Sequence, residues 1–250
     1  MSEALPAIII ILLAATLMLL ALRRLRSGVR YSLRPLAGYT VIGEQIGRAV
    51  ESGSQLHVTL GRAPLPGVNG PTSVAALEVL AHLARESGES GISPRVTVGE
   101  ATLLPAAQGE VYRAQSAGEV TAEFATDDVQ FLAASEFPMA YAAGVTNSLH
   151  HDEIAGNVAV GRFGVEVAII AEAARRKEFS QIIGTDDPTA MALATLYTDN
   201  VLWGEELFTA AAYLEGRMEQ LASVRAQDIL RWLVAGGILL FTLLRIGRIF

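Results

Sequence analysis

Cysteine is absent from the 250 residues, and lysine occurs once, at Lys177. Without a thiol the chain forms no disulfide, zinc–thiolate site or cysteine nucleophile. Lysine-based Schiff-base or phosphate-loop chemistry would rest on one surface-type residue in Arg175-Arg176-Lys177. The strict nucleotide signatures are missing as well. No GxxxxGK[ST] occurs, and the stretch Gly61 to Gly70 lacks the GxGxxG spacing. Pro64 and Pro66 would also remove amides that a phosphate needs. No GxSxG nucleophile turn appears either.

What the chain does have is an apolar run at each end. Leu5 to Leu22 carries no charge, and Ile229 to Leu244 is interrupted only by Arg231. A hydrocarbon core about 30 Å thick needs about 20 helical residues, with about 17 as the lower limit. Both runs read as transmembrane helices, over 5–22 and 229–245, the second with Arg231 snorkelling to the headgroups beside Trp232. A cleaved signal peptide is the competing reading of the first run. It lacks a basic start and ends in Ala21-Leu22-Arg23-Arg24 rather than a small-residue cleavage site. For the second run the alternative is a buried or interfacial helix. Its stretch Trp232 to Leu244 shows no polar stripe beyond Thr242.

Arginine placement predicts sidedness. Arg23, Arg24, Arg26, Arg30 and Arg34 follow the first run and no basic residue precedes it. The positive-inside rule then puts both termini outside and the central domain in the cytoplasm, under a bacterial inner membrane. Arg23, Arg24, Arg26, Arg231 and Trp232 are the expected interface residues.

Net charge is −7, from 26 acids and 19 bases. Setting aside Glu3 and the eight arginines at 23, 24, 26, 30, 34, 231, 245 and 248 leaves 25 acids against 11 bases, a net of −14. An acidic body beneath a basic collar suits an anionic leaflet. It argues against nucleic acid, whose binding depends on phosphate neutralisation.

Between the anchors, 23–41 reads as a basic linker and 42–228 as one α/β domain. Two segments offset by 100 residues resemble each other: His57-Val58-Thr59-Leu60-Gly61-Arg62 and Asn157-Val158-Ala159-Val160-Gly161-Arg162. Each is a β-prone run leading into a helical pattern, Ser73 to Glu86 or Val165 to Lys177. A second strand follows in each copy, Val96 to Gly99 or Gln181 to Gly184. A second helix comes next, Leu103 to Ala117 or Pro188 to Tyr197. Strand Asn200 to Trp203 ends the series. This alternation predicts a three-layer, mostly parallel, doubly wound (Rossmann-like) sheet built from two βαβα halves, the pattern of a duplication. Residues 118–156 break the rhythm and read as an insertion, with strands at Val129–Ala133 and Met139–Ala143.

Ligands of open parallel sheets bind beyond the carboxyl ends of the strands. That edge would gather Arg62, Glu100, Arg162, Asp186 and Asp187 around a crevice. One reading is a small-anion pocket using helix amides and the two arginines. The other is ordinary helix-start chemistry, with Asp187 capping ahead of Pro188. His150-His151-Asp152-Glu153 is the one metal-like cluster. Adjacent histidines diverge on regular backbone, which favours a polar turn; no metal and no cofactor are expected. His57, on a strand, has no obvious partner.

The Gly-Arg strand ends, Trp203-Gly204-Glu205-Glu206-Leu207, Ala211-Ala212-Tyr213-Leu214 and Ser223 to Trp232 together resemble a family of bacterial membrane proteins known as a domain of unknown function. The resemblance covers most of the chain. It implies the two-anchor plan and transfers no activity or catalytic residue. The expected role is a scaffolding or assembly component, a homo-oligomer with the lipid bilayer and other membrane-complex subunits as partners. The alternative is a small-anion or nucleotide sensor or enzyme.

Overall fold

The computed structural model describes residues 4–29, 31–117, 128–150 and 154–246. The chain divides into two units, Met1–Leu33 with Glu215–Phe250, and Arg34–Leu214. The first contains α1 (Ala4–Arg26) and the last helix, α9 (Met218–Ile246).

In α1 and α9 the helix continues past the apolar run. Arg23 to Arg26 close α1, and α9 begins eleven residues ahead of the expected span. Both extensions are rich in Arg, Leu, Ala, Gln and Glu, which hold helix well. The two helices pack through Ala21, Leu25 and Ala222, which are buried together. The two alanines let the backbones approach closely. Elsewhere the pair shows its apolar side chains outward, with Ile11 66 % and Phe241 67 % exposed. Both are long and apolar enough to cross a membrane, at mean hydropathy 2.3 and 1.9.

Among the described residues the second unit is built on six strands: β1 (Gln55–Gly61), β2 (Arg95–Val98), β3 (Val129–Phe131), β4 (Ile154–Arg162), β5 (Ser180–Thr185) and β6 (Val201–Trp203). All neighbours are parallel, in the order β3-β2-β1-β4-β5-β6. Its helices are α2 (Ala37–Ser52), α3 (Gly70–Gly88), α4 (Leu103–Ala117), α5 (Pro138–Leu149), α6 (Val167–Arg176), α7 (Pro188–Ala194) and α8 (Ala210–Leu214), the last preceded by a 3₁₀ turn over Gly204–Thr209.

Right-handed crossovers decide which face each helix covers. The chain moves outward from β1 through α3 and α4, then from β4 in the opposite direction through α6 and α7. The two sets therefore lie on opposite faces. One core joins Val58, Leu60, Val158, Val160 and Ile182 to Ile42, Val79, Leu80 and Leu103. The other joins Ala159, Ile183 and Val201 to Tyr141, Val145, Ile170 and Ala190. Burial of each large aliphatic side chain contributes about 1.5–3 kcal/mol.

The two resembling segments are β1 and β4, paired at the centre with His57 opposite Asn157 and Val58 opposite Val158. On the α5 side the central strands carry polar residues that are nonetheless buried, so each requires a partner. His57 Nδ1–H donates to Asn157 Oδ1 at 2.9 Å, and the Thr97 hydroxyl donates to His57 Nε2 at 3.1 Å. Burial pulls the His57 pKa down to about 4 and keeps the ring neutral. His57 thus has two partners that its sequence context did not suggest.

Met139–Ala143, expected as a strand, lies within helix α5. Pro138 opens that helix, and the buried Tyr141, Val145 and Leu149 recur every four residues, a helical period. In the stretch read as an insertion, β3 pairs with β2 and α5 packs in the second core. Residues 118–127 and 151–153 lie outside the described residues. Helix α2 starts within the expected linker, so Gly38 and Tyr39 are helical and buried. The two ends of this unit meet: the Tyr213 hydroxyl donates to the Arg34 carbonyl at 2.8 Å, and the Tyr39 and Tyr213 rings stack at 5.1 Å.

Candidate functional site

The order of the strands reverses between β1 and β4, and the connections after them leave toward opposite faces. That geometry opens a crevice beyond the carboxyl ends of the two strands. Their Gly-Arg endings have a specific cause. Gly61 has φ 72° and Gly161 φ 136°, backbone that favours glycine. A Cβ on Gly61 would sit 2.5 Å from the Arg162 carbonyl oxygen, and one on Gly161 2.1 Å from that of Leu60. The strands close against each other there, and the Arg62 amide donates to the Arg162 carbonyl at 3.0 Å. Each glycine thus delivers the next residue, an arginine, to the crevice.

Arg62 and Arg162 line one cavity of about 240 Å³ with Pro64, Asn69, Phe163, Gly164 and Asp187. Both guanidinium groups are engaged. Arg62 Nε donates to Glu166 Oε1 at 2.8 Å, and its Nη1 donates to the Ser135 carbonyl. Glu166 is 1 % exposed and also accepts the Gly164 amide at 2.8 Å. Arg162 Nη1 donates to Asp186 Oδ2 at 3.0 Å and its Nη2 lies 3.8 Å from Asp187 Oδ2. Thr72, in the first turn of α3, donates its hydroxyl to Asp186 Oδ2 at 2.7 Å. Asp186 Oδ1 is buried with no hydrogen-bond partner among the described residues. Asp187 Oδ1 caps α7, accepting the amides of Thr189 at 2.9 Å and Ala190 at 3.0 Å.

Of the five residues expected at this edge, the fold places Arg62, Arg162 and Asp187 on the cavity. Asp186 ties down one of its arginines. Glu100 does not line it; its carboxylate turns to the Thr102 amide of its own loop, at 3.4 Å. Glu166, Thr72 and the Ser135 carbonyl were not anticipated. Only an acid near a helix start hinted at Glu166. Two arginines face three carboxylates here, so a bare anion would have to displace an existing ion pair. The crevice better suits a ligand with both hydrogen-bond donors and acceptors. Beneath it lies Tyr141, whose hydroxyl is hydrogen-bonded to that of Thr59 and whose pKa burial raises.

Elsewhere, a larger cavity of about 410 Å³ opens between α5 and α6, with Ile169, Glu172, Arg176 and Tyr197 on its walls, away from the strand ends. His150 donates Nδ1–H to the Thr146 carbonyl at 2.6 Å, while the other three residues of its cluster lie outside the described ones. Among the expected interface residues, Arg23, Arg24 and Arg26 are exposed at the end of α1. Arg231 lies 3.6 Å from Asp228, one turn away, and Trp232 is 79 % exposed.

A two-unit α/β chain with two membrane-length helices is the class these features define. It belongs to the family described as a domain of unknown function, DUF6754, which matches residues 2–249. No curated protein and no solved structure matches it.

Proposed function

We propose that this protein is a membrane-anchored α/β domain serving as a structural or assembly component of a membrane complex. In this reading the domain lies on the cytoplasmic side of a bacterial inner membrane and both chain ends lie outside. The carrying observation is the outward apolar surface of α1 and α9, where Ile8 to Leu12 and Ile238 to Phe241 are 52–67 % exposed. Each such side chain left in water forgoes about 1.5–3 kcal/mol that a hydrocarbon surrounding supplies. The arginines after α1 favour this sidedness. The joined ends of the domain, at Arg34 and Tyr213, suit a body held by two neighbouring anchors. Confinement to one layer raises effective concentration and promotes lateral association.

Reporter fusions test the topology. A reporter inserted near residue 120 should be active in the cytoplasm and one at either terminus in the periplasm; the reverse pattern overturns the sidedness. In mild detergent, mass photometry should show a homo-oligomer, and a monomer at every concentration removes the assembly role.

The crevice favours a second reading, a sensor or enzyme for a small polar ligand. Its strand order is the one doubly wound dinucleotide-binding sheets use, and the matching halves read as a duplication. Thermal shifts with nucleotides, sugar phosphates and zwitterions should appear in the wild type and vanish in Arg62→Ala/Arg162→Ala. Silence across the panel rejects it.

A further inference from the structure

We propose that the cavity between α1 and α9 is a binding site for the headgroup of an anionic phospholipid. The proposal rests on the membrane reading of these helices and names what the pair would hold.

The cavity measures about 260 Å³, and its lining is divided by chemistry. Leu17, Leu20 and Ile229 form an apolar part, while Arg24, Arg225 and Tyr31 form a polar one. The division follows from helix periodicity. Leu17, Leu20 and Arg24 fall on one face of α1, and Arg225 and Ile229 stand one turn apart on α9. Both arginines therefore lie just beyond the apolar runs, at the expected hydrocarbon boundary, with the three aliphatic residues on the hydrocarbon side.

The state of the two guanidinium groups sets this cavity apart from the crevice. Arg62, Arg162, Arg217 and Arg231 each lie beside a carboxylate. Among the described residues neither Arg24 nor Arg225 has one. Two uncompensated cations beside one cavity attract an anion strongly where the local dielectric is low. Arg225 is also oriented, its Cζ 5.2 Å from the centroid of the Tyr31 ring. Stacking of this kind presents the planar fork for two-point bonding to phosphate oxygens and reduces the entropy lost on binding. A phosphodiester with acyl chains meets both halves of the lining; free phosphate meets only the polar half. Basic pockets between membrane helices on the cytoplasmic side are suited to such headgroups.

The test uses the full chain in a neutral detergent, titrated with phosphatidylglycerol, phosphatidylcholine or inorganic phosphate and read by native mass spectrometry and thermal shift. Phosphatidylglycerol should be retained over phosphatidylcholine. Arg24→Gln/Arg225→Gln should weaken its retention about twenty-five-fold, at roughly fivefold per arginine. The control Arg23→Gln/Arg26→Gln, on the same helix end but outside the cavity, should change it less than twofold. Equal losses in the two double variants would mean a diffuse basic collar and overturn the proposal. Inorganic phosphate stabilising the chain as well as the lipid does would overturn it in favour of a soluble anion. If the first variant melts early in detergent, Arg225→Lys keeps the charge, removes the fork and should still lower selectivity; unchanged selectivity also counts against the site. Alkaline extraction of membranes separates the two levels. A wild-type chain that washes off defeats the membrane reading itself, whereas one that stays but shows no lipid preference defeats only the cavity.

Discussion

Strands β1 and β4 end in the same dipeptide and pair side by side, yet their arginines live in different surroundings. Arg62 is 19 % exposed and bonds to a carboxylate that is 1 % exposed. Arg162 is 37 % exposed and shares two carboxylates that are 21 % and 24 % exposed. Five residues earlier the strands differ in chemistry rather than exposure, where His57 in one faces Asn157 in the other and both are buried. Matching local sequence thus delivers matching backbone, while neighbours from distant parts of the chain set the electrostatics. An ion pair out of water depends on its partner far more than an exposed one. The ion pair of Arg62 should therefore tolerate substitution less than that of Arg162.

The backbone comes first, because it is what the two strands share. Gly161→Ala places a methyl group against the Leu60 carbonyl in a left-handed conformation, and should cost about 4 kcal/mol, the sum of strain and overpacking. Gly61→Ala should cost nearly as much, and thermal melts of the full chain in detergent compare them. A mild effect in either would break the equivalence of the two turns. Glu166→Gln comes next. It removes the charge opposite the partly buried Arg62 and should cost about 3 kcal/mol by chemical denaturation.

His57 separates the strands by pH. Its pKa is about 4 in the folded chain against the ordinary 6.5, so below 6.5 the unfolded chain binds more protons. The stability that neutral His57 supplies is complete above pH 6.5 and is lost as pH falls toward 4, up to about 3 kcal/mol. His57→Asn, which makes the strands alike, should flatten that slope; an unchanged slope would assign it to other groups. The smallest effects belong to the side chains around Arg162. Asp187→Ala should cost about 1 kcal/mol, the worth of an N-cap, and Arg162→Ala about 0.5 kcal/mol. A large loss from Arg162→Ala would erase the contrast between the halves.

Much of the fold was legible because it is written in short-range pattern. Helix α4 spans Leu103–Ala117 as its periodicity predicts, and the β-prone runs before Gly61 and Gly161 are the central strands. The strand expected at Met139–Ala143 shows where pattern runs out: a short alanine-rich apolar run satisfies either period, and only Tyr141, Val145 and Leu149 meeting one core makes it a helix. At the crevice, the arginines and Asp187 could be placed from the strand ends they follow. Glu166 could not, since an acid near a helix start has an ordinary explanation, and its partner lies 104 residues away.

Hydropathy, arginine placement and the alternation of strand with helix were settled by the sequence itself. Each depends on residues within a few turns of one another, where periodicity and charge act without reference to the rest of the chain. Tertiary structure alone decided that Arg62 meets Glu166, that Arg162 meets Asp186, and that Arg24 and Arg225 border one cavity. Those meetings depend on crossover direction and helix pairing, which bring together segments that share no local signal.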